Sequence, residues 1–281
     1  MTAAGSLGYD NLRTVAGRRR RVPGGSVLYF SLAAAPLTRV RVVAAVGIDG
    51  QPLAGLLEQA GADTSSLAFL TGTSYRWTAD HGSGAGAPLR ARQRFGVYQG
   101  WRPQLSAVAR ASQLFFLGSM HPRQQLQVLD QAAAPELVAA DTMTDFVLSA
   151  RADLEAVLAR ADLLFLNLSE LEALQRAGGG GGQERLALEA VARWRLRALV
   201  LKLGDRGTWL VDTDGIKAVP PADGPPVVDP TGAGDALAGG MLGRLAQLQR
   251  RDRDALLEAL RWGTQAARRA ISAFGPDALR P

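Results

Sequence analysis

The stretch DPTGAGDALAGG, residues 229–240, combines a turn, four glycines and two carboxylates immediately before an apolar helical pattern. Pro230 restricts the backbone of Asp229 to an extended conformation. Gly232 and Gly234 allow the chain to turn sharply and to approach a ligand more closely than a residue with a Cβ atom could. The stretch therefore predicts a tight loop that leads into a helix and faces a bound molecule.

The helical pattern starts at Ala233 and continues with apolar residues three to four positions apart. The N–H groups of residues 232–235 are then expected to be free donors at the positive end of the helix, where phosphate oxygens bind well. Asp235 lies in the same first turn, where a carboxylate can deprotonate a hydroxyl that attacks phosphorus. An acidic residue in a first turn can also serve only to stabilise the helix dipole.

The twelve residues together resemble the C-terminal signature of the ribokinase-like, phosphofructokinase B-type carbohydrate kinases. This resemblance implies that Asp235 is the catalytic base and that Gly232, Ala233 and Gly234 form an anion hole for the transferring phosphoryl group. It also places Asp229 among the residues that bind the substrate.

The composition narrows the class of protein. The 281 residues are 47% hydrophobic, which is ample for one large domain or two small ones. Neither a run of eighteen apolar residues nor a signal-peptide pattern is found, so we expect a cytoplasmic protein without a membrane partner. The absence of cysteine excludes disulfides, thiolate metal sites and cysteine nucleophiles. The net charge of +6 comes from scattered arginines without a nucleic-acid motif, so no nucleic-acid partner is expected.

Short apolar runs with strand character alternate with helical patterns along the chain. This alternation predicts a mostly parallel sheet covered by helices on both faces. The predicted strands are Ala3–Leu7, Arg41–Val46, Leu114–Leu117, Leu137–Ala140, Leu163–Leu166 and Ala198–Leu203. The predicted helices lie near residues 26–35, 51–60, 123–133, 151–159, 168–176 and 184–194, with a final helix over Asp252–Phe274.

Two segments, at about residues 9–23 and 67–98, interrupt the alternation. The second contains strand-like fragments at Thr73–Trp77 and Arg94–Tyr98, and we expect both segments to form a small β lid beside the sheet. The glycine-rich pieces Gly82–Gly86 and Gly178–Gly182 are interpreted as a turn and a surface loop. The family resemblance implies one three-layer αβα domain over residues 1–281, with this lid attached.

A glycine pair precedes the apolar segment that starts at Ser26. Ser26 could simply cap a helix, but a cap does not need Gly24 and Gly25 before it. With Asp10 upstream, the pair resembles the N-terminal motif of the same family, and the resemblance implies that these three residues hold the substrate's hydroxyl groups. Tyr29 occupies about the position of the family's sugar-binding Asn, which leaves the identity of the sugar open.

Asn167 and Glu170 follow the predicted strand Leu163–Leu166. They could cap the next helix, or they could act on a ligand, because ligands of open α/β sheets bind at the carboxyl ends of strands. The pair resembles the family's Asn-x-x-Glu motif, which implies that Glu170 organises Mg²⁺ through water and that Asn167 faces the nucleotide. Mg²⁺ keeps most of its waters, so few protein ligands are sufficient.

The segment LKLGDRGT, residues 201–208, ends another predicted strand in a glycine turn. It resembles the family's nucleotide-binding segment, and two positions near the C-terminus match others that flank the nucleotide. The residues that this resemblance assigns to ATP are Lys202, Gly204, Asp205, Gly207, Thr264 and Gly275. A monovalent cation and a homodimer that pairs through the lid are implied by the resemblance alone.

Other nucleotide-binding and catalytic motifs are missing from the sequence. No GxxxxGK[ST] is present, the glycines of residues 232–240 do not form GxGxxG, and His81 and His121 are the only histidines. The sequence therefore predicts an ATP- and Mg²⁺-dependent kinase that acts on a hydroxyl of a small sugar. A nucleoside kinase is the alternative, because Tyr29 and Trp77 could stack on a base, and a non-catalytic sensor with the same fold is the other.

Overall fold

A computed structural model describes residues 1–82, 90–175 and 182–280. In these ranges nine strands form one sheet, in the order β13-β12-β11-β10-β9-β8-β1-β4-β5. These strands are β1 (Thr2–Ala4), β4 (Arg41–Val46), β5 (Asp63–Phe69), β8 (Leu114–Leu117), β9 (Leu137–Asp141), β10 (Leu163–Asn167), β11 (Ala198–Lys202), β12 (Thr208–Asp212) and β13 (Gly215–Val219). All pairs from β5 to β11 are parallel, and β12 and β13 continue the sheet in antiparallel pairing.

Helices cover both faces of this sheet. Val42 and Ala44 of β4 lie in the apolar cluster that includes α1, α2, α9 and α10, whereas Val43 and Ala45 lie in the cluster that includes α4, α6 and α8. Successive strand residues point to opposite faces, so nearly continuous apolar strands supply both layers. The helices are α1 (Ser26–Ala34), α2 (Gln51–Gln59), α3 (Ala107–Arg110), α4 (Pro122–Leu129), α5 (Thr144–Ser149), α6 (Arg151–Leu158), α7 (Leu168–Gln175), α8 (Gln183–Trp194), α9 (Ala233–Leu248) and α10 (Arg253–Ala270). The predicted three-layer αβα fold is confirmed.

A separate four-stranded sheet takes its strands from both segments that were predicted to form the lid. Its order is β3-β2-β6-β7, with β2 (Gly8–Thr14), β3 (Gly17–Gly24), β6 (Tyr75–Asp80) and β7 (Arg90–Arg94). Trp77 of β6 points toward the main domain, and its neighbours Arg76 and Thr78 point to the other side. The inner face of this sheet therefore lies over the carboxyl ends of the main strands.

Several predicted boundaries differ from the structure. The first strand ends at Ala4 and not at Leu7, because Ser6 leaves the sheet and exchanges hydrogen bonds with Ser26 on the way to β2. The predicted strand Arg94–Tyr98 is wrong: Gly96–Tyr98 form a single 3₁₀ turn after β7. Residues 67–69, predicted as lid, belong to β5 of the main sheet.

The final helix ends at Ala270 and not at Phe274, and the antiparallel strands β12 and β13 have no counterpart among the predicted strands. The glycine-rich pieces Gly82–Gly86 and Gly178–Gly182 lie almost wholly outside the described residues. No helix in the described ranges is both long and apolar enough to cross a membrane.

Candidate active site

Two neighbouring cavities open at the carboxyl ends of the parallel strands. The first, of about 250 Å³, lies between the strand ends and the inner face of the lid, and its lining includes Asp10, Tyr29, Trp77 and Asp235. The second, of about 330 Å³, lies between the β11–β12 connection and helices α9 and α10. Both cavities are lined by Lys202, Pro230 and Gly234, so these residues mark their junction.

The N-terminus of α9 is at this junction. Gly232 precedes the helix with φ +78° and makes no side-chain cap, and its conformation is one that glycine adopts at low cost. The N–H groups of Gly232, Gly234 and Asp235 have no acceptor within the described part of the chain, as expected for a first helical turn. The N–H of Ala233 differs from the prediction, since it donates to the carbonyl of Pro230 at 3.4 Å. Three free donors therefore remain for an anion.

Asp235 is partly buried and lines the first cavity beside these donors. Burial raises the pKa of its carboxyl from 3.8 to about 7, and the charge of Asp141 adds to this effect while Lys202 opposes it. A carboxylate with a pKa near 7 accepts a proton from a hydroxyl more readily than an ordinary aspartate does. The geometry and the electrostatics therefore suit a general base.

Asp10 lies on the lid strand β2 and is 2% exposed. Its Oδ1 atom has no hydrogen-bond partner among the described residues, and burial, followed by Asp229 and Asp235, raises the pKa of its carboxyl well above the usual range. A buried carboxylate oxygen without a partner is costly. Because Asp10 lines the first cavity, a ligand hydroxyl there would satisfy it.

Gly24 and Gly25 have different positions at the site. A Cβ atom on Gly24 would lie 2.1 Å from Asp10 Oδ2, so this glycine packs behind the carboxylate and does not line the cavity. Gly25 does line the cavity, and its φ of +99° turns the chain into α1. Only one residue of the predicted glycine pair is thus brought to the ligand space.

Asp229 is fully buried and holds the loop before α9. Its two carboxylate oxygens accept hydrogen bonds from the N–H groups of Thr231 and Gly275, both at 3.0 Å. Asp229 and Gly275, predicted to bind substrate and nucleotide respectively, line neither cavity. Their contacts are those of residues that shape the anion loop, because both carboxylate oxygens are occupied by backbone donors.

Tyr29 is packed beneath the anion loop. It is 1% exposed, and a Cβ atom on Gly232 would lie 2.3 Å from its ring. Its hydroxyl lacks a partner among the described residues, and it lines the first cavity. Tyr29 can therefore present a hydroxyl to a ligand but not a free ring face.

Asn167 and Glu170 form a reciprocal pair at the start of α7. Glu170 Oε2 accepts the N–H of Asn167 at 2.8 Å, and Asn167 Oδ1 accepts the N–H of Glu170 at 2.9 Å. This is a capping-box arrangement, and neither residue lines the two cavities. Burial raises the pKa of Glu170 to about 7, Lys202 opposes that effect, and Asp141 adds to it.

The second cavity contains most of the residues predicted to bind the nucleotide. Five of those seven line it: Lys202, Gly204, Asp205, Gly207 and Thr264. Its remaining wall is largely apolar, with Val227, Leu237 and Ile271 among the lining residues. A mostly apolar cleft with a few polar groups is typical of a small-molecule site.

Two residues of the site were missed by the sequence reasoning. Asp141, at the end of β9, pairs with Lys202 at 3.0 Å, and its position directly after the predicted strand Leu137–Ala140 could have indicated it. His81, which follows β6, lies with Nε2 3.0 Å from Thr231 Oγ1 and so links the lid to the anion loop. No local sequence signal distinguishes His81, because its partner is 150 positions away.

A family model described as "pfkB family carbohydrate kinase" matches residues 5–281. The chain belongs to this family. It is accordingly a kinase, that is, a phosphotransferase, with the ribokinase-like fold. The predicted family is confirmed over nearly the whole chain, and the prediction was made from short motifs that together cover only a small part of it.

Individual relatives agree with the family. A cytidine kinase of Thermococcus kodakarensis is 25% identical over an alignment of 289 positions. The alignment covers 98% of this chain and 97% of the relative. The nucleoside kinase of Burkholderia thailandensis, solved in complex with inosine, superposes with a TM-score of 0.79 at 21% identity over 100% of this chain and 93% of that one. A ribokinase of Cryptococcus neoformans, solved in complex with ADP, gives a TM-score of 0.78 at 19% identity over 100% and 96% of the two chains. At 21% and 19% identity, these two solved structures show that this chain shares their fold.

Proposed function

We propose that this pfkB family kinase transfers the γ-phosphoryl group of ATP to a hydroxyl of a small sugar, with Asp235 as the general base. The observation that carries the proposal is the position of Asp235: it lines the first cavity beside the free N–H groups at the start of α9, and it follows Gly234, which lines both cavities. One cavity is suited to the acceptor and the other to the nucleotide. The ADP complex of the Cryptococcus neoformans ribokinase supports ATP as the donor.

The positions of Asp10, Asp235 and the free N–H groups in the cavities assign each of them a step in the reaction. Asp10 accepts a hydrogen bond from an acceptor hydroxyl and orients the acceptor in the first cavity. Asp235 then takes the proton of the attacking hydroxyl, and the N–H groups of residues 232, 234 and 235 stabilise the charge that develops on the phosphoryl oxygens. The lid covers the acceptor and excludes water, which would otherwise compete for the phosphoryl group.

Mg²⁺ fits the charge distribution of the site. The charge of Asp141 raises the pKa of Glu170 and of Asp235, the charge of Glu170 also raises that of Asp235, and Lys202 is the cation that opposes these effects. Among the described residues no group of three His, Cys, Asp or Glu side chains is close enough to hold a metal alone. Mg²⁺ would therefore be held by Glu170 through water and by the nucleotide, and when bound it neutralises phosphate charge.

A nucleoside is the second candidate acceptor. Trp77 is partly buried on the inner face of the lid and lines the acceptor cavity, where its ring is available to a base, whereas Tyr29 is covered by Gly232. The cytidine kinase of Thermococcus kodakarensis supports this alternative. In both cases the phosphorylated group is a hydroxyl, of a free sugar or of the sugar part of a nucleoside.

A screen of free sugars and nucleosides with Mg-ATP, read out as ADP release, tests the proposal. Turnover of sugars above that of nucleosides is the expected result. Preferred turnover of nucleosides would replace the sugar by the second candidate and would leave the role of Asp235 unchanged. Absence of turnover with every acceptor would favour the non-catalytic sensor.

The rate should depend on pH through Asp235. Because its pKa is raised to about 7 and the base acts only when ionised, kcat/KM for the acceptor at saturating Mg-ATP should rise from pH 5.5, reach half of its maximum near pH 7 and level off above about pH 8. Initial rates in buffers of constant ionic strength measure this profile. A rate that falls over the same range would contradict the assignment of Asp235 as the base.

Pairing of two copies through the lid remains a prediction. The outer face of the lid carries Arg92 and Arg94 of β7, both exposed, whereas Arg76, which lies beside Arg94 in the strand register, is paired with Asp49. If two such faces pair, the like charges oppose association, so the dimer fraction should increase with salt. Light scattering coupled to gel filtration at 50 mM and 500 mM NaCl measures the effect, and a dimer that weakens in salt would argue against this interface.

A further inference from the structure

Lys202 occupies the junction between the two cavities. Its side chain lines both, and it passes close to the anion loop: a Cβ atom on Gly234 would lie 3.0 Å from Lys202 Nζ. A phosphoryl group that moves from the nucleotide cavity to the acceptor cavity has to pass this point. The ammonium group is therefore placed where negative charge is transferred, and not only where the nucleotide rests.

A lysine side chain is flexible, so another group must hold the Lys202 ammonium at the junction of the two cavities. Lys202 has four methylene groups and a compact charge that can pair with any nearby carboxylate. Burial lowers the pKa of Lys202, but the negative charges around it raise the pKa more, so the ammonium form is favoured. Asp141 contributes most among these charges, followed by Glu170 and Asp235. The direct contacts are with Asp141 alone among these three, since Nζ lies 3.0 Å from Oδ2 and 3.3 Å from Oδ1.

Asp141 is itself firmly held. It is 6% exposed and ends β9, and its carbonyl accepts a hydrogen bond from Gln125 Nε2 at 3.0 Å. Its Oδ1 also accepts the N–H of Thr142 at 2.8 Å. Asp141 and Lys202 lie on β9 and β11, with β10 between them, so the lysine side chain reaches across β10 to a fixed carboxylate.

We infer that Lys202 is a catalytic residue that contacts the transferring phosphoryl group, and that Asp141 is a positioning residue that keeps the ammonium group between the two cavities. This inference rests on the proposed phosphoryl transfer. In the transition state the ammonium adds a positive charge to the free N–H groups at the start of α9. Without Asp141, Lys202 would turn toward Asp235 or Glu170 and would leave this position.

A double-mutant cycle tests the inference with the acceptor identified in the screen described above. Lys202→Met should lower kcat by about 10²- to 10³-fold, in line with the loss of one charge-stabilising donor, and should change KM for ATP by less than about threefold. Asp141→Asn should lower kcat by about tenfold or more with a similarly small change in KM. The double variant should match Lys202→Met, because Asp141 acts only through the lysine.

Asp212→Asn is the matched control. Asp212 is also 6% exposed and paired with a cation, since Arg253 Nε lies 3.1 Å from its Oδ2, but it lies on β12 and lines neither of the two cavities. Its replacement should reduce the unfolding temperature as Asp141→Asn does and should leave kcat unchanged. A loss of kcat in Asp141→Asn that exceeds this control is therefore not a consequence of reduced stability.

Some outcomes would overturn the inference. Additive losses in the cycle would show that Asp141 acts independently of Lys202, and a changed Mg²⁺ requirement in Asp141→Asn without coupling would assign it to the metal. An unchanged kcat in Lys202→Met would remove the catalytic role of the lysine. Lys202→Met leaves a buried carboxylate unpaired and could therefore fail to fold. In that case kcat of Asp141→Asn is compared with kcat of Asp212→Asn, and equal values would overturn the inference. Failure of the proposed function appears elsewhere, in wild-type turnover and in the Asp235→Asn variant.

Discussion

Replacement of Asp235 by Asn is expected to lower kcat by about 10²- to 10⁴-fold and to leave nucleotide affinity within a few-fold of the wild type. The amide keeps the shape of the side chain but cannot take the proton of the attacking hydroxyl. The N–H groups of residues 232, 234 and 235 and the walls of the nucleotide cavity are unchanged, so binding should persist. Steady-state kinetics and calorimetric titration with ADP measure the two quantities separately.

The same variant should be more stable than the wild type at pH 8. The pKa of Asp235 is raised from 3.8 to about 7 in the folded protein, so ionisation at high pH costs folding free energy, and this cost disappears as the pH falls below about 4. At 1.36 kcal/mol per pK unit the cost is at most about 4 kcal/mol, and solvent in the open cavity reduces it. Thermal unfolding should show a higher midpoint for Asp235→Asn at pH 8 and equal midpoints near pH 4. Full turnover in this variant would contradict the base assignment.

Replacement of Gly232 by Ala should lower kcat by about 10²- to 10³-fold, the loss expected when an anion-hole donor is displaced. The position has φ +78°, which costs an L-residue about 1–2 kcal/mol. In addition, the new Cβ atom would lie 2.3 Å from the ring of Tyr29, which is fully buried and cannot move aside. The loop must therefore shift, and the N–H groups at the start of α9 shift with it.

Gly61→Ala separates these two effects. Gly61 has the same φ of +78°, but nothing lies within 4 Å of the position of its Cβ atom. Gly61→Ala should thus show the conformational cost in thermal unfolding while kcat stays at the wild-type value. Equal activity of the Gly232 and Gly61 variants would show that the geometry of the anion loop does not control the rate.

Much of the fold could be predicted from local patterns. The strands Arg41–Val46 and Leu114–Leu117 have the predicted bounds, because a run of apolar residues that is buried on both faces has few other interpretations. The start of α9 at Ala233 was also predicted, since glycines and a proline end the preceding loop clearly. These features depend on residues that are neighbours in the sequence.

The remaining features depend on contacts between distant segments. The departure of the chain from the sheet after Ala4 is set by Ser26, and the exclusion of Asp229 from the cavities is set by a hydrogen bond from Gly275. The pairing of Asp141 with Lys202 joins positions 61 apart on strands that are not adjacent. A single sequence contains the residues of such pairs but does not show that they are close in space. The sequence therefore predicted candidate residues such as Asp235 and Lys202, but not the contacts that hold the site together.

A crystal structure of the Asp235→Asn variant with Mg-ATP and the acceptor from the screen tests the central claim most directly. The γ-phosphate should lie within hydrogen-bonding distance of the N–H groups of Gly232, Gly234 and Asn at position 235, with the acceptor hydroxyl between the phosphate and that side chain. Nucleotide bound outside the second cavity, or an acceptor hydroxyl out of reach of residue 235, would contradict the account.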